Sequence, residues 1–161
     1  MKTVLLLRHG KSKRGPQYET DYERPLAGRG KRDAVRMGEF LTGRDLLPDL
    51  IVSSPAKRAR QTALRCAEAA DYLGEIRFAE SLYFSGDDAY LELLWELDDA
   101  LGSVLFVGHN PDMESAIEAL SGRYARMPTA ALARIDFSTE SWSELTEGGG
   151  RLAWVQLPRE L

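Results

Sequence analysis

The chain has 161 residues, 43% hydrophobic and 29% charged, the balance of an ordinary water-soluble protein, and its length suits one domain spanning residues 1–161. The single cysteine, Cys66, excludes an internal disulfide, and the two histidines, His9 and His109, are too few for a Cys/His zinc site, so no metal is expected. The net charge of −4 is unevenly spread: residues 1–65 hold 15 Lys and Arg against 7 Asp and Glu, and residues 66–161 hold 6 against 18. A basic segment inside an acidic chain suits a focused anion site. The acidic remainder would repel a long polyanion, so no nucleic-acid partner is expected. No apolar run reaches eighteen residues, and the one apolar start, Val4 to Leu7, is cut by Arg8. Neither a membrane span nor a signal peptide is expected, and the chain reads as cytoplasmic.

Thr3 to Leu7 is rich in strand formers and stops at Arg8-His9-Gly10, which predicts a buried strand ending in a loop. Residues 11–29 are polar and carry Pro16 and Pro25, so they are expected to form an extended loop. Ala34, Met37 and Leu41 have helical spacing and predict a helix from about Gly30 to Thr42, stopped by Gly43 and Pro48. Asp49 to Val52 is a second strand. Ser54-Pro55 reads as a helix start, with Ser54 as N-cap and Pro55 at the first helical position. The apolar face of that helix is Ala59, Ala63, Cys66, Ala67 and Ala70, which makes Cys66 a small core residue.

Glu75 to Ala79 predicts a short strand, and Asp87 to Leu101 a helix with Asp87-Asp88 and Asp98-Asp99 as solvated ends. Ser103 to Gly108 is the third clear strand and, like the first, is followed by a histidine. Asn110 then caps a helix beginning at Pro111. The remainder predicts a strand near Ala131 to Phe137 and a hairpin of Trp142–Leu145 with Leu152–Leu157 around Gly148-Gly149-Gly150. Strand–helix alternation of this kind predicts a three-layer α/β/α sandwich with a mainly parallel central sheet and a ligand site outside the carboxyl ends of its strands.

Several phosphate-handling signatures are absent: GxxxxGK[ST], GxGxxG and the GxSxG elbow. What remains is Arg8-His9-Gly10 after the first strand, Arg58 after the second and His109 after the third. All lie at one edge of a parallel sheet, where two arginines, two imidazoles and two helix N-termini converge. Arginine forks match phosphate oxygens, and positioned positive charge is what a transferring phosphoryl group needs. Nearby positive charge also favours the neutral form of an imidazole, which is the nucleophilic form. Taken singly, each residue has an ordinary reading as a hydrogen-bonded strand end or a solvated helix charge. Two histidines at equivalent points of successive βα units make a site the better account.

Arg8-His9-Gly10, Ser54-Pro55 with Arg58-Ala59-x-Gln61-Thr62, and Val107-Gly108-His109-Asn110 resemble the histidine phosphatase (phosphoglycerate-mutase-like) superfamily. Arg24-Pro25-Leu26, Gly30 and Met127-Pro128-Thr129-Ala130, with the short length, resemble its SixA branch of phosphohistidine phosphatases. The resemblance implies a phosphoglycerate-mutase-like fold and a cofactor-free, metal-independent phosphatase. In it His9 takes the phosphoryl group, while Arg8, Arg58 and a protonated His109 bind its oxygens. Lys11, Ser12 and Asn110 flank these groups as candidate substrate contacts, with a loop cap as the alternative for Ser12. Ester-cleaving relatives carry a glutamate that protonates the leaving oxygen. Glu80 is the nearest positional candidate for that acid and Asp21 another, each with a solvated surface role as its plainer reading.

The implied substrate is a phosphohistidine-containing protein. A small phosphorylated metabolite is the alternative, and a non-catalytic phosphate- or phosphohistidine-binding module is the reading from another class. The stretch from Glu80 to Asp87 is too short for a large lid.

Overall fold

The computed structural model describes residues 1–161. Six strands form one sheet: β1 (Lys2–Arg8), β2 (Leu50–Ser53), β3 (Ile76–Phe78), β4 (Ser103–Gly108), β5 (Leu132–Phe137) and β6 (Arg151–Gln156), in the order β3-β2-β4-β1-β5-β6. The four strands from β3 to β1 run parallel, and β5 and β6 are antiparallel additions beside β1. Register places Arg8 beside Gly108 and Ser53 beside Val107, so β1, β2 and β4 end together.

Alternation along the central strands divides the core. Leu5, Leu7, Ile51, Leu105 and Val107 face α1 (Gly28–Gly43) and α2 (Lys57–Ala69). Val4, Leu6, Leu50, Val52, Val104 and Phe106 face α3 (Asp88–Trp95) and α4 (Asp112–Ser121). Apolar side chains on both faces are what a parallel sheet covered by helices requires, and this explains why these strands read as continuous apolar runs. Cys66 lies fully buried on the α2 face, where burial pushes its thiol up to about 12.

Three local expectations are corrected. The helix expected over Asp87–Leu101 ends at Trp95, and beyond it the Asp98 carboxylate accepts the Ala100 N–H at 2.8 Å, a local turn that competes with continued helix. Asp99 is also more than a solvated end, since its Oδ1 accepts the Trp142 N–H at 2.9 Å. Trp142–Glu144 is a 3-10 turn and no hairpin strand. Trp142 is buried, donates to the Leu101 carbonyl at 2.9 Å, and leaves β6 to pair with β5 alone. Finally, α2 and α4 start at Lys57 and Asp112, later than expected, and neither Ser54 nor Asn110 caps them. Both side chains are engaged in the site.

Candidate active site

His9 leaves the end of β1 with both backbone groups fixed: its N–H donates to the Gly108 carbonyl and its carbonyl accepts the Ala130 N–H. The next residue, Gly10, lies against Gly30 at the start of α1. A Cβ on Gly10 would come within 2.7 Å of the Gly30 carbonyl oxygen, so this approach needs glycine. The Gly10 N–H donates to the Thr62 hydroxyl on α2 at 3.1 Å, and that hydroxyl donates to the Arg58 carbonyl. The loop holding His9 is thus tied to both helices on one face of the sheet.

The imidazole is fixed as firmly. Nδ1 of His9 lies 2.8 Å from the Gly10 carbonyl, an acceptor only, so Nδ1 carries the proton and Nε2 keeps its lone pair. Arg58 Nε donates to that Nε2 at 3.4 Å. Burial first, and then the charges of His109, Arg58 and Arg8, push His9 down to about 3 against the lifting effect of the Gly10 carbonyl. At neutral pH His9 is an unprotonated base with a defined tautomer.

His109 lies beside it, the two ring centroids 5.1 Å apart. Its Nε2 is 2.8 Å from Ser54 Oγ, which itself accepts the Ala56 N–H. In the tautomer in which the Ser54 hydroxyl donates to Nε2, Nδ1 is an N–H donor. Burial, then Arg58, pushes His109 down to about 3. The protonated second histidine expected from the sequence is therefore neutral in the field the protein provides. Its Nδ1 and the Nε of Arg8 are both buried without a hydrogen-bond partner. An unpaired buried polar atom is costly, so Arg8 Nε, a donor, and His109 Nδ1, a donor in that tautomer, suit a place that receives acceptor oxygens.

The guanidinium groups are braced from behind. Arg8 Nη1 donates to the Met127 carbonyl, which also accepts from Asn110 Nδ2, and Glu114 accepts from both Asn110 Nδ2 and the Met127 N–H. Arg58, 1% exposed, donates to the Asp21 carbonyl at 2.7 Å and to Asp21 Oδ2 at 2.8 Å. Asp21 also accepts from Arg24 and the Tyr83 hydroxyl. Partial burial pushes Asp21 up, but the hydrogen bonds from Tyr83, Arg58 and Arg24 outweigh it and hold the carboxyl well below the usual range. Asp21 is thus an ionised brace. Glu80 is exposed on a 3-10 turn and makes no side-chain hydrogen bond to any of these groups.

The site therefore gathers His9, His109, Arg8 and Arg58, with Asn110 and Ser12 one step behind. Ser12 is buried and accepts from Arg24. Lys11 is exposed and its side chain contacts none of them. Sequence reasoning gave no role to Ser54 beyond a cap, and missed Glu114 and the aromatic wall. Tyr83 and Phe84 lie 5.5 and 4.8 Å from the His109 ring centroid, and Phe84 takes a left-handed backbone (φ 57°) that a bulky residue rarely adopts. No three His, Cys, Asp or Glu side chains are grouped to hold a metal ion.

Comparison with known proteins bears on the fold and the family. The family model of the histidine phosphatase superfamily (branch 1) matches residues 4–83. The crystal structure of a candidate phosphohistidine phosphatase SixA from Agrobacterium tumefaciens is similar at 30% identity and a TM-score of 0.83, covering 98% of each chain. That of a candidate SixA from Nakamurella multipartitia is similar at 25% identity and a TM-score of 0.85, covering 98% of this chain and 96% of that one. An uncharacterized chloroplastic protein of Arabidopsis thaliana is 29% identical over 160 residues, 94% of this chain and 73% of that protein. With its phosphoglycerate-mutase-like sheet and these relatives, the chain belongs to the histidine phosphatase superfamily, is of the SixA type within it, and is a phosphatase.

Proposed function

We propose that the protein dephosphorylates phosphohistidine borne by a protein, through a covalent intermediate on His9 and without a metal ion. The observation that carries this reading is the lone pair on His9 Nε2 in a site where two buried nitrogens, Arg8 Nε and His109 Nδ1, have no hydrogen-bond partner. In the first step Nε2 attacks phosphorus and the bond from phosphorus to the substrate imidazole breaks. Arg8, Arg58 and His109 hold the phosphoryl oxygens, the two guanidinium groups supplying positive charge where it is needed. In the second step water attacks phosphorus, the bond to Nε2 breaks with its electron pair returning to the ring, and inorganic phosphate leaves as the dihydrogen ion carrying both water protons.

The substrate class follows from the leaving group. An imidazole can accept a proton on the ring nitrogen remote from phosphorus before the bond breaks, whereas an alkoxide has no second basic atom and needs an acid beside it. Of the two carboxyl groups considered for that role, Asp21 is held ionised and Glu80 stands exposed. The arrangement therefore supports P–N cleavage over alkyl-ester cleavage. A 32P-labelled phosphohistidine peptide should leave label on wild-type protein quenched in alkali and none on His9→Ala. That variant should lose several orders of magnitude in rate while EDTA leaves the wild type unchanged. Substantial hydrolysis by His9→Ala would overturn the assignment, and binding without labelling of the wild type would make the protein a binding module.

A further inference from the structure

The catalytic groups use only part of the basic excess of residues 1–65. On α1, Arg29, Arg32 and Arg36 stand at helical spacing along one face, and with Arg159 from the C-terminal 3-10 turn they line a groove of about 320 Å³. Its one acidic group, Asp33, is buried and reaches only Arg36, at 3.7 Å. Arg32 and Arg159 make no ion pair, and the one side-chain hydrogen bond of Arg29 is to the Thr129 hydroxyl at 3.5 Å. Four guanidinium groups thus face one carboxylate. Like charges on one helix face repel unless an anion lies among them.

Two residues that line the groove are chain neighbours of residues packed against or bonded to the His9 loop. Arg29 precedes Gly30, the residue packed on Gly10 beside His9, and Thr129 precedes Ala130, whose N–H donates to the His9 carbonyl at 3.0 Å. From Arg29 to Arg36 the charges extend along about 10 Å of helix. A line of that length suits several carboxylates in a row better than one phosphate. A nucleic acid would meet the acidic residues of 66–161, which hold 18 Asp and Glu against 6 Lys and Arg.

We propose that this groove is a docking subsite for acidic side chains flanking the phosphohistidine of a protein substrate. The proposal rests on the phosphohistidine reading above and names the partner surface that reading lacks. Ion pairing at such a rim raises encounter rate and fixes orientation, and salt screens it.

The test uses two synthetic phosphohistidine peptides, one with three aspartates near the histidine and one with asparagines in their place, together with free phosphohistidine. In low salt the wild type should favour the aspartate peptide, through KM. Arg32→Gln/Arg159→Gln should lose that preference by roughly tenfold in kcat/KM, and Arg32→Glu/Arg159→Glu should lose more, with turnover of free phosphohistidine unchanged. An equal effect on both peptides, or none, would overturn the proposal. Should the wild type cleave only phosphate esters, the phosphohistidine reading fails by itself. The groove is then judged by fluorescence anisotropy with the unphosphorylated aspartate peptide. Binding that the double variants lose upholds the acidic-partner surface, and equal binding rejects it. Arginine-dependent binding of pyrophosphate without binding of the peptide would reject it too, in favour of a small-anion subsite.

Discussion

The nucleophilic role proposed for His9 needs an unprotonated imidazole, and its surroundings favour one: burial and two neighbouring cations make the imidazolium unfavourable. His109 is depressed by the same causes, so both histidines sit at about 3 in the folded protein against about 6.5 in an unfolded chain. Between those values the unfolded state binds protons that the folded state refuses. Stability therefore rises with pH from about 3 to 6.5 and is lost as pH falls through that window, by up to about 1.4 kcal/mol per pH unit for each histidine. Asp21, whose folded pKa is depressed, adds a loss in the same direction only below the ordinary carboxylate range. Urea unfolding at pH 7, 6, 5 and 4 should show this slope, and His109→Gln should remove about half of it. A flat profile for the wild type would mean that the imidazoles titrate normally in the fold. The kcat/KM profile of the wild type should likewise show no acid limb near 6.5 that belongs to the free enzyme.

At the scale of elements, Arg8, His9 and His109 are delivered by strand ends and Arg58 by the first turn of α2, each held by a neighbour from elsewhere in the chain. The delivery was legible in the sequence, because β1 and β4 are local apolar runs that stop at Arg8-His9 and Gly108-His109, and parallel pairing brings such ends to one edge. The bracing was not. Glu114 looks like a solvated first-turn acid of α4, yet it accepts from Asn110 and from the Met127 N–H, and so positions the carbonyl that receives Arg8. No periodicity announces a contact between a helix start and a loop thirteen residues later. Losing two hydrogen bonds of about 1 kcal/mol each corresponds to roughly a 30-fold effect if the Arg8 position depends on both. Glu114→Ala should therefore lower kcat/KM by about 10- to 100-fold with a change of only about 1–2 kcal/mol in stability, and Glu114→Gln should recover much of the rate, since its amide oxygen still accepts. Phe106→Ala in β4 is the contrasting case: it empties a fully buried core position and should cost about 3–5 kcal/mol in chemical denaturation.

At the scale of the whole molecule, what matters is how short the segment beside the site is. Between β3 and α3 the chain contributes only the 3-10 turn at Glu80–Leu82 and a short loop, and from it Tyr83 and the half-exposed Phe84 lean on His109. The shortness of that stretch could be read in the sequence, but the wall it forms could not, since a left-handed Phe84 packing on a histidine twenty-five residues on leaves no local pattern. A wall this short buries little of a small ligand, so a metabolite gains few contacts there, while a phosphohistidine on a protein brings its own surface. The ratio of kcat/KM for a phosphohistidine peptide to that for p-nitrophenyl phosphate, and to that for an alkyl phosphate, should therefore be high and should rise as the leaving group becomes more basic. Glu80→Gln should leave the phosphohistidine rate within about twofold, because the exposed carboxyl touches none of the reacting groups and the leaving imidazole needs no acid from the protein. A wild-type preference for the alkyl ester, lost in Glu80→Gln, would make Glu80 a general acid that reaches the site when substrate binds, and the protein a small-molecule phosphomonoesterase.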